Sequence, residues 1–362
     1  MQQTELHRWH QRLGARFIEF SGWEMPLEYS GSRKETIGVR KSAGLFDISH
    51  MGEIEISGRD SANFCQWITT NDIGKLREFQ AQYTMLCNHR GGVVDDVIIY
   101  KYSDEYFFMC VNAVNTAKDF EWIESVEGEF KVEALNKSFE YSQLALQGPQ
   151  SEYIIRDAFG FDFSDLRRFH FLKKTWNGVD LMFARTGYTG EDGFEIFIPW
   201  GDASEVWDAI LDTRNEYDIL PSGLGARDIL RLEMAYPLYG HEISEDINPI
   251  ESGLRRYVRF DKGDFIGKGA LERVLEAGPD KKLIGFEMID RGIPRQGYRV
   301  LRDEVQLGSV TSGTLSPNLY KSIGMALLNA NGEVGENLEI EIRGTKRKAT
   351  IVSTPFLHEQ TS

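Results

Sequence analysis

The hydrophobic and polar residues of the chain form short alternating runs separated by segments with helical spacing. Strands are predicted at residues 17–20, 53–57 and 106–111, and at 144–149, where the strand runs into a turn; apolar and polar residues alternate at 53–57. Apolar residues recur every third or fourth position in the predicted helices, which cover residues 4–13, 60–70, 113–126 and 223–236. The peptide at 22–26 is typical of a packed turn. Interleaved strands and helices of this kind predict α+β domains.

A central hairpin is predicted from two strand-like runs at 83–88 and 93–100, joined by His89-Arg90-Gly91-Gly92. The second run contains Asp95 and Asp96, although Asp is depleted in strands. With a period of two, Asp96, Ile98 and Tyr100 share one face, and Asp95 lies on the other. If Asn88 pairs with Val93, Tyr83 falls opposite Ile98 and joins the face of Asp96 and Tyr100. This face is typical of a small-molecule site. The alternative is that both carboxylates belong to the turn.

The last eighty or so residues differ from the rest of the chain in their pattern of apolar and polar positions. After Gly278, Pro279 and Asp280, short alternating runs follow one another without a long helix. They lie at 283–288, 305–311, 323–328, 338–342 and 349–352. This pattern predicts a small antiparallel β-barrel. We therefore place a domain boundary near residue 280, between region 1–280, with two intertwined α+β subdomains, and a C-terminal domain 281–362.

Composition and charge narrow the class of function. The 362 residues, 41% hydrophobic, are enough for two or three domains with substantial cores. A net charge of −15 disfavours nucleic acid and anionic membrane as main partners. No window approaches the roughly 18 apolar residues of a membrane span, and the N-terminus lacks a signal-peptide pattern. The sequence therefore predicts a cytoplasmic protein.

The cysteines and histidines do not form a metal-binding pattern. Cys65, Cys87 and Cys110 are widely spaced in apolar runs, as reduced core thiols are. His7 and His10 are the only close histidine pair, and no further ligand lies near them. His50, between an apolar run and a strand, is interpreted as a hydrogen-bonded, partly buried structural residue. No metal site is predicted.

Two further segments carry candidate binding chemistry. In the glycine-rich stretch 185–196, three glycines in seven residues allow a tight loop, and Glu195 follows it at the start of a strand. A carboxylate only accepts hydrogen bonds, which suits the paired N–H donors of an aminopyrimidine ring. The helix at 223–236 has a glycine-rich entry but lacks the pattern of a dinucleotide site. On it, Arg231 is predicted to form a structural ion pair, with Asp228 and Glu233 available.

Several motifs resemble those of the glycine cleavage T-protein family, the aminomethyltransferases. They are Gly-Trp-Glu-Met-Pro at 22–26, Gly-Leu-Phe-Asp-Ile-Ser-His-Met-Gly at 44–52, the strand 91–100, the loop 185–196, Gly-Leu-Gly-Ala-Arg-Asp at 223–228, and two C-terminal blocks at 291–298 and 311–317. The resemblance runs from about residue 4 to 357. It departs in the tail, where His358-Glu359-Gln360 stand in place of the Tyr or Arg of some relatives, so no folate contact is assigned there.

The resemblance implies a fold, a reaction and a site. The fold is a three-domain cloverleaf around a central folate cavity. The reaction converts the aminomethyl group on the lipoylated H-protein, with tetrahydrofolate as cosubstrate and no metal, into 5,10-methylenetetrahydrofolate, ammonia and a reduced lipoyl arm. Asp96 is the catalytic carboxylate. The residues assigned to folate binding are Tyr83, Tyr100, Tyr188, Glu195, Arg227 and Tyr236.

Two other functions are weighed against this one. Another folate-dependent enzyme of the superfamily is disfavoured by the intact Asp95-Asp96 pair and the absence of a flavin domain. A non-catalytic folate-binding protein of the iron–sulfur repair type would carry a Lys-Gly-Cys motif that this sequence lacks. Because the family's H-proteins are generally acidic, docking is assigned to Arg291 and Arg295, unless Asp290 pairs with them. Arg255, Arg256 and Arg259 form a second cluster, for which pairing with Asp261 is equally plausible.

Overall fold

A computed structural model gives the structure of the chain and describes residues 1–329 and 332–357. The tail His358-Glu359-Gln360 lies outside the described residues. The helices are α1 (His7–Arg12), α2 (Ser32–Lys41), α3 (Ser61–Ile68), α4 (Thr116–Ser125), α5 (Ser151–Phe159), α6 (Ala203–Asp212), α7 (Leu224–Glu233) and α8 (Lys268–Ala277). The strands to the middle of the chain are β1 (Arg16–Phe20), β2 (Trp23–Glu28), β3 (Ala43–Asp47), β4 (Gly52–Ser57), β5 (Gln80–Cys87), β6 (Val93–Ser103), β7 (Tyr106–Val111), β8 (Glu133–Asn136) and β9 (Tyr141–Gln147). The remaining strands are β10 (Phe171–Trp176), β11 (Val179–Ala184), β12 (Gly193–Pro199), β13 (Ile219–Pro221), β14 (Lys282–Met288), β15 (Arg299–Arg302), β16 (Val305–Ser316), β17 (Lys321–Leu328), β18 (Asn337–Ile342) and β19 (Thr345–Val352).

The chain forms two compact units built from interleaved segments. The first comprises Met1–Cys65, Ile73–Tyr83 and Val97–Asp228, and the second comprises Gln66–Asp72, Thr84–Asp96 and Ile229–Ser362. The mixture of helices and sheets confirms the predicted α+β class. The predicted division of the chain near residue 280 concerns sequence domains and stays a prediction.

The first unit contains a six-stranded sheet in the order β10-β11-β12-β9-β3-β13. Its strands pair antiparallel except β13, which runs parallel to β3. One face packs against a cluster of buried residues from helices α5 and α6, among them Ile154, Trp207 and Ile210. Because that face is covered by apolar helices, the opposite face is left for the polar site described below.

The N-terminal helix is joined to the end of strand β3 in this sheet by a buried polar contact. Nε2 of His10 lies 2.8 Å from Oδ2 of Asp47, and both side chains are buried. Nδ1 of His10 lies 2.9 Å from the hydroxyl of Tyr29, and the other oxygen of Asp47 accepts from the amide and hydroxyl of Ser49. Burial alone would raise the pKa of Asp47, but the hydrogen bond and charge of His10 and the hydroxyl of Ser49 lower it to about 2.

The peptide 22–26 was predicted to be a turn, and this is wrong. Trp23 to Glu28 form strand β2, which pairs antiparallel with β1. Gln2 also forms a parallel bridge to Trp23. Of the five residues of this peptide, only Gly22, with φ 85°, lies in the turn between the two strands. Pairing on both sides of the peptide therefore overrides its local turn tendency.

The central hairpin is present, but its turn is shorter than predicted. Within the second unit, the amide of Asn88 donates to the carbonyl of Gly92, and the amide of Gly91 donates to the carbonyl of Asn88. Gly91, with φ 88°, takes the left-handed position of a three-residue loop. The assumed pair Asn88–Val93 is therefore wrong by one residue, and the argument that placed Tyr83 opposite Ile98 no longer follows from it.

Within the second unit, a lysine fixes the segment at the end of α3. Nζ of Lys262 donates to the carbonyls of Gln66, Thr69 and Asn71 at 2.5, 2.6 and 2.8 Å. The carbonyl of Gln66 lies in the last turn of α3, where backbone acceptors lack helical partners, and those of Thr69 and Asn71 follow the helix. The ammonium group supplies the missing donors and a charge suited to a helix C-terminus.

The C-terminal strands form a closed barrel in the order β14-β17-β16-β15-β18-β19, as predicted. The predicted runs correspond to β14 and β16 to β19, and the pattern missed only the four-residue strand β15. Before the barrel, Arg231 forms a buried ion pair with Glu242 at 3.1 Å and donates to Ser312 at 2.8 Å. The predicted structural role of Arg231 is confirmed, with a partner eleven residues further along the chain.

We expect His10→Leu to lower the free energy of unfolding by about 3–5 kcal/mol, because the carboxylate of Asp47 would stay buried without its partner. The double variant His10→Leu with Asp47→Asn keeps an acceptor for Ser49 but removes the charge, so it should recover much of the loss. Urea unfolding measures both, with His89→Leu as a control at an exposed histidine. Equal losses in the single and double variants would contradict this account.

The same pair predicts a pH dependence. The pKa of Asp47 is lower in the folded chain, at about 2, than the usual value of about 3.9 in an unfolded chain. Its contribution to stability is therefore complete above the unfolded value and is lost as the pH falls toward 2. We expect the double variant to lose less stability than wild type between pH 5 and about pH 2.

Candidate functional site

Within the first unit, the six-stranded sheet faces the first-unit part of a five-stranded sheet through one layer of side chains. In the six-stranded sheet, Glu195 lies opposite Ala145 and Phe197 opposite Gln143, so Glu195, Phe197 and Gln143 share a face. The facing layer comes from the sheet ordered β5-β6-β7-β4-β8, in which Tyr100 pairs with Phe108, Ile98 with Cys110 and Glu53 with Cys110. We call these side chains the inter-sheet layer.

The layer is aromatic at one end. The ring of Tyr100 lies 5.5 Å from the rings of Phe171 and Phe197, in edge-to-face contact with both. Phe108 lies 5.2 Å from Phe197 in the same manner. Such contacts stabilise ring pairs beyond the burial of their area. The aromatic end therefore holds Tyr100, which is fully buried, in one orientation.

At the other end, Glu195 is a buried carboxylate with two hydroxyl neighbours. It is 8% exposed, its Oε2 accepts from the hydroxyl of Thr186 at 2.6 Å, and the hydroxyl of Tyr100 approaches the same oxygen at 3.5 Å. Burial raises the pKa of Glu195, whereas the Thr186 hydrogen bond, the charge of Arg227 and the Tyr100 hydroxyl oppose the rise. The carboxylate is thus an acceptor placed where water competes poorly.

Arg227, on α7, stacks on the ring of Tyr188 at 4.7 Å. Both side chains are half-buried. In the part of the chain that the structure describes, Arg227 has no carboxylate partner within salt-bridge distance, although its charge acts on Glu195 and on His50. A stacked guanidinium beside a buried carboxylate presents a flat surface next to an acceptor, which suits a planar ring with N–H donors.

The loop that carries Tyr188 is braced from both ends. Arg185 donates to both oxygens of Asp192 and to Glu152 at 2.8 Å. Arg40 donates to the carbonyl of Thr189 at 2.6 Å and to Glu191 at 2.9 Å.

Beneath the loop, Gln147 donates to the carbonyl of Thr186 at 3.1 Å and accepts from the hydroxyl of Thr189 at 2.9 Å. A Cβ on Gly187 would lie 1.9 Å from Oε1 of Gln147, so only glycine permits this approach. The loop is therefore preorganised without a ligand.

Three polar atoms near this site are buried without a hydrogen-bond partner among the described residues: Nδ1 of His50, Oε2 of Glu53 and Nε2 of Gln143. His50 was predicted to be partly buried and hydrogen-bonded; it is 3% exposed, and its Nδ1 has no such bond. Burial and the charge of Arg227 lower the pKa of His50 to about 3, against the opposing charge of Asp47. With a pKa this low, the imidazole is uncharged near neutral pH and takes up a proton only weakly. His50 is therefore a poor general base there.

Glu53 and Gln143 flank Cys110 in the inter-sheet layer. Glu53 lies directly opposite Cys110 in the β4–β7 pairing, and Sγ of Cys110 lies 3.6 Å from Oε1 of Gln143. Burial raises the pKa of Glu53 well above its usual value, and burial likewise raises the pKa of Cys110. Glu53 is therefore the least compensated carboxyl group of the layer.

The structure brings together two pairs of the predicted folate residues, Tyr100 with Glu195 and Tyr188 with Arg227. Tyr83 lies half-buried on β5, in the first unit. In the second unit, Asp95 is fully buried and Asp96 half-buried on β6, and Tyr236 is half-buried just after α7. The different exposure of the two carboxylates agrees with their predicted placement on opposite faces.

Arg291 and Arg295 are exposed in the segment before β15. Oδ2 of Asp290, the predicted competitor for their charge, accepts from the amide of Lys348 at 2.8 Å. In the second cluster, Arg255 stacks on Phe260 at 4.7 Å.

Sequence reasoning missed Thr186, Cys110 and Gln143 as site residues. The signal for Thr186 was its position between Arg185 and Gly187 in the glycine-rich motif.

The described residues contain no group of three or more His, Cys, Asp or Glu side chains that could hold a metal ion. Nor does the described chain contain a helix long and apolar enough to cross a membrane.

Comparisons with known proteins agree on one family over nearly the whole chain. Residues 6–262 match the model of the GCVT N-terminal domain, and residues 281–358 match that of the glycine cleavage T-protein C-terminal barrel domain. The chain is 48% identical to an aminomethyltransferase of Geobacillus kaustophilus, covering 98% of each chain, and 46% identical to one of Thermoanaerobacter pseudethanolicus, covering 98% of this chain and 97% of the relative. It is similar to the crystal structure of glycine cleavage system aminomethyltransferase T from Bartonella henselae, with a TM-score of 0.93, 33% identity and coverage of 99% and 98%.

We expect Glu53→Gln to change the pH dependence of stability. Because burial raises the pKa of Glu53 in the folded chain, that chain binds its proton more tightly than the unfolded chain, whose Glu titrates near pH 4.3. This group therefore lowers stability as the pH rises above about 4.3, and the glutamine variant should lack that loss.

Urea unfolding from pH 4 to pH 8 measures the effect. Glu55→Gln is the matched control, since Glu55 lies two residues along the same strand and accepts a hydrogen bond from the hydroxyl of Tyr106 at 2.7 Å. The expected result is a stability of Glu53→Gln that rises relative to wild type with pH. If the plots of stability against pH for wild type and Glu53→Gln are parallel, Glu53 has another hydrogen-bond partner in solution.

Proposed function

Because the chain belongs to the glycine cleavage T-protein family, we propose that it is the aminomethyltransferase that passes a one-carbon unit from lipoylated H-protein to tetrahydrofolate. In the overall transfer, the C–S and C–N bonds of the aminomethyl carbon break and two bonds to folate nitrogens form. The two protons from those nitrogens leave with ammonia and with the lipoyl thiol. The products are 5,10-methylenetetrahydrofolate, ammonia and dihydrolipoyl H-protein.

The observation that carries this proposal is the buried carboxylate of Glu195. An aminopyrimidine ring presents adjacent N–H donors, and a carboxylate is the side chain that accepts both. Glu195 is 8% exposed and lies within the range of the charge of Arg227. In a site of low dielectric, hydrogen bonds to an ionised acceptor contribute roughly twice as much as neutral ones.

The other folate-binding assignments follow from the resemblance and are supported unevenly by the contacts. Tyr188 and Arg227 form a stacked pair with a face suited to a flat ring. Tyr100 is fully buried, so we propose that it acts behind Glu195 through its hydroxyl. Tyr83 and Tyr236 are half-buried, and we propose them as further contacts of the folate.

We propose Asp96 as the catalytic carboxylate. As the aminomethyl carbon leaves sulfur it becomes iminium-like, and the attacking folate nitrogen must lose a proton while ammonia gains one. A single carboxylate can stabilise the cationic carbon and accept and return the proton. Asp96 is half-buried, whereas Asp95 is fully buried, so Asp96 is the more accessible of the two carboxylates.

Two further assignments from the sequence remain part of this proposal. The C-terminal domain is assigned to residues 281–362, which is supported by the barrel match at 281–358 and by the start of β14 at Lys282. The cytoplasmic location rests on the sequence alone.

We expect Asp96→Asn to reduce turnover by roughly 10²–10⁴, because it keeps the shape of the side chain but removes the charge and the proton acceptor. Asp95→Asn is the matched control and should reduce turnover much less. The assay is release of ammonia and methylenetetrahydrofolate from aminomethyl-loaded H-protein, with tetrahydrofolate binding measured separately. Small and equal effects at the two positions would show that neither carboxylate of β6 is catalytic, and folate binding by wild type without any turnover would favour the non-catalytic alternative.

The exposed arginines before β15 provide the proposed docking contact for an acidic H-protein. We expect Arg291→Glu with Arg295→Glu to raise the Michaelis constant for aminomethyl-loaded H-protein, to flatten its salt dependence and to change saturating turnover little, since rim charges act mainly on association. Arg12→Glu with Arg59→Glu makes the same change in net charge at exposed positions of the first unit and is the control. A collapse of saturating turnover with unchanged carrier affinity would show that the two arginines do not dock the carrier.

A further inference from the structure

The two hydroxyl groups near Glu195 both approach the same oxygen. Thr186 donates to Oε2 at 2.6 Å, and Tyr100 approaches Oε2 at 3.5 Å. No hydrogen bond to Oε1 is formed within the described part of the chain. The carboxylate is therefore held by one oxygen, and the other is left to accept from a ligand.

The position of Thr186 is fixed by its surroundings. Its side chain is 5% exposed, and its carbonyl accepts from Nε2 of Gln147 at 3.1 Å. On one side, Arg185 is held by Asp192 and Glu152; on the other, Gly187 lies so close to Gln147 that no Cβ would fit. The hydroxyl thus has little freedom to leave Glu195, which reduces the entropy that the hydrogen bond costs.

The charged and titratable groups that face Glu195 come from three other elements. They are Tyr100 on β6, Cys110 on β7 and Arg227 on α7. Burial raises the pKa of Glu195, and the hydrogen bond from Thr186 is the largest influence that lowers it. The remaining contacts are a hydroxyl at 3.5 Å and the charge of an arginine that forms no ion pair with Glu195.

We propose that Thr186 is a positioning and specificity-determining residue, whose hydroxyl keeps Glu195 ionised and turns its second oxygen toward the N–H donors of the ligand. This inference rests on the proposed function, because the ligand is the aminopyrimidine ring of tetrahydrofolate. A protonated Glu195 would present a hydroxyl donor to ring donors and leave them unpaired, which disfavours binding.

The test compares Thr186→Val, which keeps the branched shape, with Thr186→Ser, which keeps the hydroxyl. Anaerobic calorimetry measures tetrahydrofolate affinity from pH 5.5 to pH 9. We expect Thr186→Val to weaken affinity roughly 10-fold near neutral pH, as for a lost hydrogen bond to a charged group. Affinity should return toward the wild-type value as the pH rises, because the carboxyl group of the variant ionises at a higher pH. Thr186→Ser should keep the wild-type pH profile.

A second measurement reads Glu195 without any ligand. The carboxylic acid band of Glu195, taken from infrared spectra of the protein minus those of Glu195→Gln, gives its titration midpoint in wild type and in both Thr186 variants. The midpoint should move upward in Thr186→Val and stay in place in Thr186→Ser. In the Glu195→Gln background, Thr186→Val should cause no pH-dependent change in affinity.

These readouts separate the inference from the proposed function. An unmoved Glu195 midpoint in Thr186→Val would overturn the inference, and so would a loss of affinity equal at every pH, which indicates packing alone. Wild-type protein that binds no tetrahydrofolate at any pH would overturn the proposed function, while the infrared midpoint would still test whether Thr186 keeps Glu195 ionised.

Discussion

The site depends on the burial of one carboxylate. Glu195 lies on the inner face of a sheet because the period of two along β12 places it with Phe197 and opposite Ala145. A carboxylate in such a position is unstable as an anion unless donors and positive charge are arranged around it. Thr186, Tyr100 and Arg227 supply them, and each comes from a different element of the first unit. The arrangement of those elements is therefore a condition for the acceptor to exist.

Rigidity of the loop at 185–193 follows from the same requirement. A hydrogen bond of 2.6 Å between Thr186 and Glu195 persists only if both backbones are fixed. β12 fixes one through its pairing with β9 and β11. Arg185, Arg40 and Gln147 fix the other with charged and amide donors, which are stronger than the apolar contacts that an exposed loop could make. Binding energy is then not lost in ordering the loop.

Sequence patterns predicted the barrel strands, the hairpin and the structural ion pair of Arg231, because these depend on local periodicity or on a charge that must be buried. They failed where a distant segment decides the local structure. The peptide 22–26 is a strand because β1 and Gln2 pair with it. The hairpin turn is shorter because the side chain of Asn88 accepts from the amides of Arg90 and Gly92 at 2.9 and 3.1 Å. Gln143 entered the site only through sheet packing, which one sequence does not reveal.

Two carboxyl groups of the inter-sheet layer differ in their surroundings, and this difference separates their roles. Glu195 has a short hydrogen bond and a cation in range, so its ionised form is supported against burial. Oε2 of Glu53 is buried without a hydrogen-bond partner in the described chain, and burial alone raises the pKa of Glu53. Burial raises the pKa of both groups, but only around Glu195 do a hydrogen bond and a positive charge oppose the rise. Of these two carboxyl groups, Glu195 is therefore the one whose surroundings support the ionised form, whereas the surroundings of Glu53 favour the protonated form.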